Sequence, residues 1–414
     1  MKILIISQYF WPENFRINEL SEELYKLGHQ ITVLTGYPNY PNGYIYPEFR
    51  KNKEKFRFFK GAKIVRVPVI ARKKNKFFLF LNYISFLINS FFIGYLKLRG
   101  QEFDIIFTFQ LSPVTIGITS SLFAYIKKCP QVFWVLDLWP DTLEALNIIN
   151  KKWQLNLFKI LVNWIYSRCD LILAQSKNIL SEINDYSSVK NNSHYFPSWG
   201  ESDLFLKEVQ PAPEISKKEI FTILFAGNIG EAQDFPSLIK TVDHLRSINV
   251  KNFRIIIIGE GSKKGWLINE IKKLNLESFF ELHKSYPLER MGSFFLHADA
   301  LLVNLLDRKV FNMTIPGKIQ FYLSSGIPII GMICGEGAEV IRKAEAGMVC
   351  NSGDYKNFSK IISRIISSDK KTLKAMGLNG KKYAKKEFSK ILLINKLNKI
   401  LNEIHKKRTS KKKN

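Results

Sequence analysis

The second half of the chain repeats one arrangement, in which an apolar run ends in glycine or proline and a helical pattern begins. It occurs in three segments, 224-LFAGNIGEAQDF-235, 255-IIIIGEGSKKGW-266 and 314-TIPGK-318. A turn of this kind lets backbone N–H groups approach a phosphate at a helix N-terminus, and a neighbouring lysine adds positive charge. Neither glycine pair completes the G-x-G-x-x-G pattern, so a dinucleotide site is not favoured. Three such turns in one region predict a site for a diphosphate.

The residues of these turns are the candidate ligand-binding residues. They are Gly227, Asn228, Gly230, Gln233, Gly259, Gly261, Lys263, Lys264, Pro316, Gly317 and Lys318. Lysines at the start of a helix also occur as ordinary surface charges, and this alternative applies to Lys263 and Lys264. The histidines are isolated and have no metal-ligand spacing, so no metal site is expected.

In the first half, carboxylates follow apolar runs that have the composition of buried strands. Asp137 ends the run QVFWVLD, where it could act as a general base or bind sugar hydroxyls. Asp141 suits the cap of a following helix. The segment YFWPENFRIN follows another such run and supplies Glu13 and Arg16. Arg16 either binds a phosphate through two N–H groups of its guanidinium or is a cation on the surface of a helix. Asp137, Arg16 and Glu13 are therefore the candidate catalytic residues.

Apolar strand-like runs alternate with helical patterns along both halves, which is typical of parallel sheets covered by helices on both faces. The predicted strands begin near residues 2, 30, 63, 103, 131 and 170, and then near 220, 253, 279, 299, 327 and 347. Between the two sets, residues 186–219 are rich in polar residues, Pro and Gly, as in a linker. We predict two doubly wound α/β domains with a cleft between them, with ligands at the carboxyl ends of the strands.

Basic residues outnumber acidic residues by 62 to 36, which gives a formal net charge of +26. This charge fits nucleic acid, anionic lipid or phosphorylated small molecules as partners. No helix-turn-helix, zinc-finger, RNP or KH pattern is found, so nucleic acid is not favoured. The N-terminal residues MKILIIS have the composition of a strand and not of a secretory signal. The four cysteines lack C-x-x-C spacing, so we expect reduced thiols in the cytoplasm.

The segment 71-ARKKNKFFLFLNYISFLINSFFIGYLKLRG-100 is largely apolar between two basic clusters. Its length permits a membrane span. Four polar residues interrupt it, namely Asn82, Ser85, Asn89 and Ser90. An aromatic helix with cations at both ends suits the surface of an anionic membrane. Three interpretations of this segment are open at this point, namely an in-plane membrane helix near 72–99, a buried domain helix and a true membrane span. The first two are compatible with each other.

Several segments together resemble the bacterial family 4 glycosyltransferases. They are the first 43 residues, LDLWPD, AGNIGEAQDF, IIIIGEG, YPLERMGSFFLHADALLVNL, TIPGKIQFYLSSGIPII and GEGAEVIRKAEAGMV, in the order found in that family. The resemblance covers nearly the whole chain. It is closest to O-antigen and capsule enzymes that transfer N-acetyl-L-fucosamine from UDP.

The resemblance implies a GT-B fold, in which two Rossmann-like domains are present and the second holds most of the donor. It also implies retention of anomeric configuration, no metal or cofactor, and a lipid-diphosphate acceptor. The diphosphate would lie against Gly227–Gly230 and Pro316–Lys318, and the nucleotide base would lie near Tyr286 and Pro287. Glu339 would match the family's acidic residue. The implied parts are an acceptor-side domain (1–198), a linker (199–217), a donor domain (218–385), and a C-terminal helix and basic tail (386–414) that pack back on the first domain.

The chain departs from the family at two places that contact the donor. Many members have a Glu-x7-Glu pair where Met313 and Phe321 stand here, and neither residue can replace a carboxylate. Many also have Arg and Lys after the first strand of the donor domain, where this chain has Asn228 and Gln233. Lys318, Lys263 or Lys264 are therefore candidates for the missing positive charge.

The resemblance predicts a retaining glycosyltransferase of O-antigen or capsule synthesis. Its partners would be a UDP-sugar, a polyprenyl-diphosphate-linked acceptor and an anionic membrane surface, but not nucleic acid. Its place would be the inner face of the cytoplasmic membrane. The alternatives are a UDP-sugar 2-epimerase of the same fold and a non-catalytic basic protein that binds nucleic acid or lipid.

Overall fold

The computed structural model describes residues 1–73, 75–145, 148–149, 151–186, 189, 192–200, 209–216 and 219–411. The chain separates into two compact units, Met1–Phe196 with Ile391–Asn414, and Pro197–Lys390. The first unit thus ends two residues before the predicted boundary at 198. Of the predicted linker, residues 201–208 and 217 lie outside the described residues, as do 412–414 of the basic tail.

The first unit is a helix-covered sheet. Its strands are β1 (Lys2–Ile6), β2 (Gln30–Gly36), β3 (Phe58–Phe59), β4 (Ala62–Val67), β5 (Ile105–Gln110), β6 (Gln131–Val135), β7 (Leu171–Ala174) and β8 (Ser193–Tyr195). Its first seven helices are α1 (Arg16–Lys26), α2 (Pro47–Lys51), α3 (Lys76–Leu98), α4 (Ile116–Lys127), α5 (Asp141–Ala145), α6 (Lys152–Tyr166) and α7 (Lys177–Asn184). The strand order is β3-β4-β2-β1-β5-β6-β7-β8, and β3 runs antiparallel to β4 whereas the other pairs are parallel.

The second unit repeats this architecture with six strands. They are β9 (Phe221–Ala226), β10 (Phe253–Ile258), β11 (Phe280–His283), β12 (Ala300–Asn304), β13 (Ile329–Met332) and β14 (Gly347–Cys350), in the parallel order β11-β10-β9-β12-β13-β14. Its helices are α8 (Phe235–Ser247), α9 (Lys264–Lys273), α10 (Met291–Phe295), α11 (Lys309–Met313), α12 (Gly317–Ser325), α13 (Gly335–Lys343), α14 (Tyr355–Ile366) and α15 (Lys370–Glu387).

The predicted parallel sheets are confirmed, and their strands are buried because apolar residues occupy both faces. Strands β5, β6 and β10 are buried along their whole length. The short strands β3 and β8 were not predicted. Two and three residues are too few for a periodic pattern, and β8 lies in the stretch that resembled a linker.

The predicted C-terminal helical region is two helices, because α15 ends before the buried Phe388 and α16 (Lys390–Lys411) follows. Helix α16 belongs to the first unit for nearly all of its length. Asn398 on α16 is hydrogen-bonded to the ring of His29 (2.8 Å), and Lys396 donates to the Tyr195 carbonyl (3.5 Å). The C-terminal helix therefore packs back on the first domain, as the resemblance implied.

Helix α3 is a domain helix that turns its polar residues inward. Asn82 donates to the Ile70 carbonyl (2.6 Å), and Asn89 donates to the Pro68 carbonyl (2.9 Å). Ser85 accepts from the Ile70 N–H (2.9 Å), and Ser90 is bonded to Thr119 (2.9 Å). All four polar residues that interrupt the apolar segment therefore fasten it to the domain.

The outward face of α3 is apolar. Its exposed large side chains are Phe77, Phe80, Ile88, Phe92 and Leu96. Among the described residues, α3 is the one helix whose length and composition would allow it to cross a membrane. An ordinary surface helix turns its apolar stripe toward the core, whereas α3 buries Phe86 and Leu98 and also exposes apolar side chains on its outward face.

Candidate active site

Helix α12 begins beside the carboxyl end of strand β9. The Tyr322 hydroxyl accepts a hydrogen bond from the Ala226 N–H (2.8 Å) and donates one to the Ala226 carbonyl (3.2 Å). Tyr322 is fully buried, so this connection excludes water. Pro316 precedes the helix and Gly326 ends it in the left-handed conformation (φ 80°), which confirms the predicted limits of the helix.

Lys318 carries a buried amine without a polar partner. Its Nζ has no hydrogen-bond partner among the residues that the structure describes. The same atom lies 3.5 Å from the ring centroid of Phe225, and an added Cβ on Gly227 would be 3.1 Å from it. Burial lowers the pKa of Lys318 from 10.5 to about 7, because the charged form has lost water and gained no anion.

The first turn of α12 adds backbone donors beside this amine. Pro316 caps the helix without a side-chain hydrogen bond, and Gly317 is exposed. The Ile319 N–H donates to the Pro316 carbonyl (2.8 Å), whereas no such bond uses the N–H groups of Gly317 and Lys318 within the described chain. The positive end of the helix dipole and the lysine therefore favour an anion at the same place.

The two glycine turns mainly hold each other. The Ile229 N–H donates to the Glu260 carbonyl (2.9 Å), and the Lys263 N–H donates to the Ile229 carbonyl (2.9 Å). A Cβ on Gly259 would lie 1.9 Å from the Gly227 oxygen, so glycine is needed for this close approach.

This packing corrects part of the expectation that both glycine turns offer free amides to a phosphate. The Gly227 N–H donates to the Ile258 carbonyl (2.9 Å) and the Gly230 N–H to the Gln233 side chain (3.0 Å). The N–H groups of these two glycines are therefore already hydrogen-bonded within the protein. Gly227 and Asn228 remain exposed at the edge of the turn.

Lys263 and Lys264 already have acidic partners. Lys263 forms an ion pair with Glu231 (3.0 Å), and Lys264 forms one with Glu260 (2.6 Å). These pairs favour the alternative in which both lysines are surface charges. Of the three lysines proposed to supply the missing charge, Lys318 alone lacks a carboxylate partner in the described part of the chain.

Helix α13 starts next to α12. A Cβ on Gly337 would lie 3.1 Å from the Pro316 ring, which shows that the two N-terminal turns touch. Glu336 is buried in the first turn of α13 and was not predicted. Glu339 is exposed and ion-paired with Lys343 (2.9 Å), so its carboxylate points away from the core.

Two further polar side chains were missed by the sequence analysis. Asn304 ends strand β12, which lies between β9 and β13, and neither polar atom of its side chain has a partner among the described residues. Gln320, on the first turns of α12, has an unpartnered buried Oε1. An unpaired buried amide is costly, so such groups commonly await a water or ligand. The sequence signal that could have identified Asn304 is its position as the polar residue at the end of the apolar run DALLVN.

The positions of the family's missing carboxylates are core positions here. Met313 and Phe321 are buried, and Phe321 packs against Phe295 with ring centroids 5.2 Å apart. Near the position predicted for the nucleotide base, the Tyr286 ring packs against Phe294 at a tilt, with ring centroids 4.6 Å apart, and Pro287 precedes a short 3-10 turn. The role of Tyr286 and Pro287 beside a base stays a prediction.

In the first unit, Asp137 lies beyond the end of β6 and is held by a serine. Its Oδ2 accepts hydrogen bonds from the Ser112 N–H (3.0 Å) and the Ser112 hydroxyl (2.8 Å). The Trp139 indole N–H also donates to the Ser112 hydroxyl (3.1 Å). Burial raises the pKa of Asp137, which is the direction that a general base needs. Asp141 is the first residue of helix α5 and so stands in its first turn.

Glu13 is a buried organising residue and does not line an open surface. Its carboxylate accepts hydrogen bonds from the backbone N–H groups of Asn39 (2.8 Å), Tyr40 (2.7 Å) and Phe10 (3.3 Å). Burial raises the pKa of Glu13 to about 7 in spite of these bonds. Glu13 therefore holds the two loops together, and its catalytic role stays a prediction. Arg16 is ion-paired with Glu19 (3.0 Å) on helix α1.

Comparison with known proteins agrees with this arrangement of two units. Residues 15–197 match the model of Glycosyltransferase Family 4, and residues 207–383 match the model of Glycosyl transferases group 1. A protein of Escherichia coli K12, named as the colanic acid biosynthesis glycosyl transferase WcaI, is 24% identical over 79% of this chain and 82% of its own length.

Solved structures share the fold at low sequence identity. HepE of Anabaena, in complex with UDP and glucose, has a TM-score of 0.68 at 12% identity and covers 97% of this chain and 100% of its own. Sucrose-phosphate synthase of Thermosynechococcus elongatus has a TM-score of 0.72 at 13% identity and covers 97% and 98%. With both family models matched in order and the two Rossmann-like domains of the GT-B fold, the chain belongs to the family 4, group 1 glycosyltransferases.

Proposed function

We propose that this glycosyltransferase moves a sugar, N-acetyl-L-fucosamine, from UDP to a polyprenyl-diphosphate-linked saccharide in O-antigen or capsule synthesis. We further propose that it retains the anomeric configuration without a metal or cofactor. Support comes from the colanic acid role in the name of the WcaI relative and from the UDP bound in HepE. The basic net charge of +26 suits a donor, an acceptor and a membrane that are all anionic.

The observation that carries the donor proposal is the unpartnered amine of Lys318 beside the first turn of α12. A diphosphate there would supply the missing counter-charge and restore the pKa of Lys318 toward its ordinary value. The protonated amine would then stabilise the charge that develops on UDP as it leaves. Lys318 would thus supply the positive charge at the diphosphate, because Lys263 and Lys264 are already paired with carboxylates.

During transfer, the bond between the anomeric carbon and the UDP oxygen breaks. The acceptor hydroxyl oxygen bonds to the same face of the sugar, and its proton passes to the departing phosphate or to a protein base. Asp137, held by Ser112, would orient this hydroxyl or accept the proton. Arg16, with Glu19, would contact a phosphate of the acceptor.

We also propose that the first domain lies on the inner face of the cytoplasmic membrane through α3. The inward polar residues and exposed Phe77, Phe80 and Phe92 of α3 support an in-plane arrangement. Helix α6 adds Trp153, Leu157 and Ile160, which are exposed and spaced three or four residues apart. The contact would bring the lipid-linked acceptor to the enzyme.

Calorimetry with UDP tests the donor site. We expect the wild-type protein to bind UDP and Lys318→Ala to bind it about 10- to 100-fold more weakly, because one charge-assisted bond to a phosphate is lost. Lys263→Ala is the matched control, since it removes the same charge from an ion pair and should retain the affinity.

Incubation with a set of UDP-sugars and membranes that contain lipid-linked saccharide tests the transfer step. A product heavier by one N-acetylfucosamine, with retained configuration, is expected by mass spectrometry and NMR. No binding of UDP would refute the donor proposal, and equal UDP affinity in Lys318→Ala would refute the role of this lysine. Release of a free epimerised sugar nucleotide without a lipid product would refute the transfer reaction.

A further inference from the structure

A cationic cavity lies at the β3–β4 edge of the sheet in the first unit, whereas the residues assigned above to the donor belong to the second unit. It has a volume of about 550 Å³ and is bounded by the loops around α2 and β3, by β4 and by the last turn of α3. We call it the edge pocket. Five basic side chains line it, namely Lys53, Arg57, Lys63, Arg66 and Lys97.

The edge pocket carries a large excess of positive charge. The one carboxylate in its lining is Glu54, which is already ion-paired with Arg57 (2.6 Å). The pKa of Lys97 is lowered by burial and then by the charges of Lys53 and Arg57, so these cations act on one another. The carboxylate of Glu13, which lies outside the lining, acts on Arg66, whereas no carboxylate of the described lining pairs with Lys53, Lys63 or Lys97.

Arg66 provides a buried donor in the same lining. Its guanidinium donates to the Gly36 carbonyl (2.8 Å) and to the Trp11 carbonyl, while its buried Nε–H has no partner among the described residues. The Phe49 ring lies 5.3 Å from the guanidinium carbon and restricts its motion. An unsatisfied N–H in a cationic cavity favours an anionic oxygen as ligand.

Exposed apolar side chains adjoin the edge pocket. Phe58, which lines it, is 64% exposed, and Leu96, next to Lys97 on α3, is 66% exposed. Phe92 lies one helical turn earlier and is 61% exposed. A ligand with both an anionic group and a hydrocarbon tail would therefore satisfy both surfaces, whereas a free phosphate would use the cations alone.

We propose that the edge pocket binds the phosphate headgroup of an anionic phospholipid, with the acyl chains against Leu96 and Phe92. This inference rests on the proposed membrane contact of α3. It identifies the lipid headgroup that would hold the protein at the membrane surface. Three cations without a carboxylate partner in the lining, Lys53, Lys63 and Lys97, and the unpartnered Nε–H of Arg66 give the pocket a preference for an anion. The outward face of α3 gives it a preference for lipid.

The test uses short-chain lipids below their micelle concentration, so that no membrane is needed. Wild-type protein saturated with UDP is titrated with dihexanoyl phosphatidylglycerol, dihexanoyl phosphatidylcholine and glycerol phosphate. We expect phosphatidylglycerol to bind at least about tenfold more tightly than either of the others. Equal binding of glycerol phosphate would make this a soluble-anion site, and equal binding of phosphatidylcholine would exclude recognition of charge; each overturns the proposal.

The variant Lys53→Gln/Lys63→Gln removes two exposed cations of the edge pocket. It should bind dihexanoyl phosphatidylglycerol at least about tenfold more weakly. Lys53→Arg/Lys63→Arg should restore binding. The control Lys371→Gln/Lys374→Gln removes two exposed charges from α15 in the second unit and should leave lipid affinity unchanged.

Equal loss in the pocket variant and in the control, or no loss in either, overturns the proposal. UDP affinity separates the proposals. A pocket variant that binds UDP normally but no lipid supports the edge pocket and leaves the donor site intact. Wild-type protein that binds UDP but no short-chain phosphatidylglycerol refutes the edge pocket alone, and absence of UDP binding refutes the donor proposal alone.

Discussion

Replacing Lys318 with methionine should stabilise the protein while it abolishes tight UDP binding. The pKa of Lys318 falls from 10.5 to about 7 on folding. At about 1.4 kcal/mol per pKa unit, this difference sets an upper limit of roughly 5 kcal/mol for the cost of the buried charge. Water that enters the site reduces the cost, so we expect Lys318→Met to gain about 1–3 kcal/mol at pH 6.

The sign of the pH dependence follows from the two pKa values. Between pH 7 and 10.5 the unfolded chain holds a proton on Lys318 that the folded chain has lost, so this residue makes unfolding more costly as pH rises. Below pH 7 both states are protonated and the burial cost is present in full. The advantage of Lys318→Met should therefore be greatest near pH 6 and should shrink toward pH 10.

Thermal and denaturant unfolding of the two proteins without UDP, at pH 6 and pH 9, measures this difference. Each kcal/mol should raise the apparent Tm by about 2–4 °C for a domain of this size. Lys263→Met is the control and should change stability by less than about 0.5 kcal/mol, because its charge is exposed and paired. A Lys318→Met protein that is less stable than wild type at pH 6, or a difference that does not vary with pH, would refute the assignment of an unpaired buried amine.

Three other variants test the first domain. Asp137→Asn should lower the turnover of sugar transfer by about 100-fold or more without changing UDP affinity, because the group that binds or deprotonates the acceptor is altered; full turnover would remove Asp137 from the mechanism. Glu13 has a folded pKa of about 7 against 4.5 unfolded, so its contribution to stability is complete below pH 4.5 and is lost as pH rises through 7. In Glu13→Gln this slope in the unfolding free energy should disappear, and an unchanged slope would contradict the burial of the carboxylate. Phe80→Ser/Phe92→Ser should abolish sedimentation with vesicles that contain phosphatidylglycerol while UDP binding persists, and undiminished sedimentation would count against α3 as the membrane contact.

Local sequence signals predicted the framework of the donor domain. The apolar runs that became β9, β10 and β12 were recognisable because their burial on both faces requires continuous apolar sequence. The limits of α12 followed from Pro316 and Gly326, whose backbone preferences suit a helix start and a left-handed end.

Interactions between distant segments could not be predicted in the same way. The pairing of Lys263 with Glu231 joins two turns that are 32 positions apart, and nothing local to either residue indicates it. The burial of Glu13, a candidate catalytic residue, was not predicted because two of the amides that bind its carboxylate come from Asn39 and Tyr40, on another loop. The unpaired state of Asn304 likewise depends on the neighbours of β12 in the folded sheet.

For helix α3, amino-acid composition predicted some properties of the helix but not its environment. Its apolar length and flanking cations were evident, but composition could not decide between a span, a buried helix and a surface helix. The hydrogen bonds of Asn82 and Asn89 to the domain show which side faces inward. The edge pocket could not be predicted from composition, because its cations come from three separate segments, namely the turn after α2, strand β4 and the end of α3.

Proton uptake on UDP binding is the most direct test of the donor site. Wild-type protein is titrated with UDP at pH 8 in two buffers that differ in ionisation enthalpy. Because Lys318 is mostly neutral at pH 8 with a pKa of about 7, and would be protonated beside a diphosphate, we predict uptake of nearly one proton per UDP. Lys318→Met should show none. Tight UDP binding with no proton uptake in the wild-type protein would contradict the claim that Lys318 holds the diphosphate.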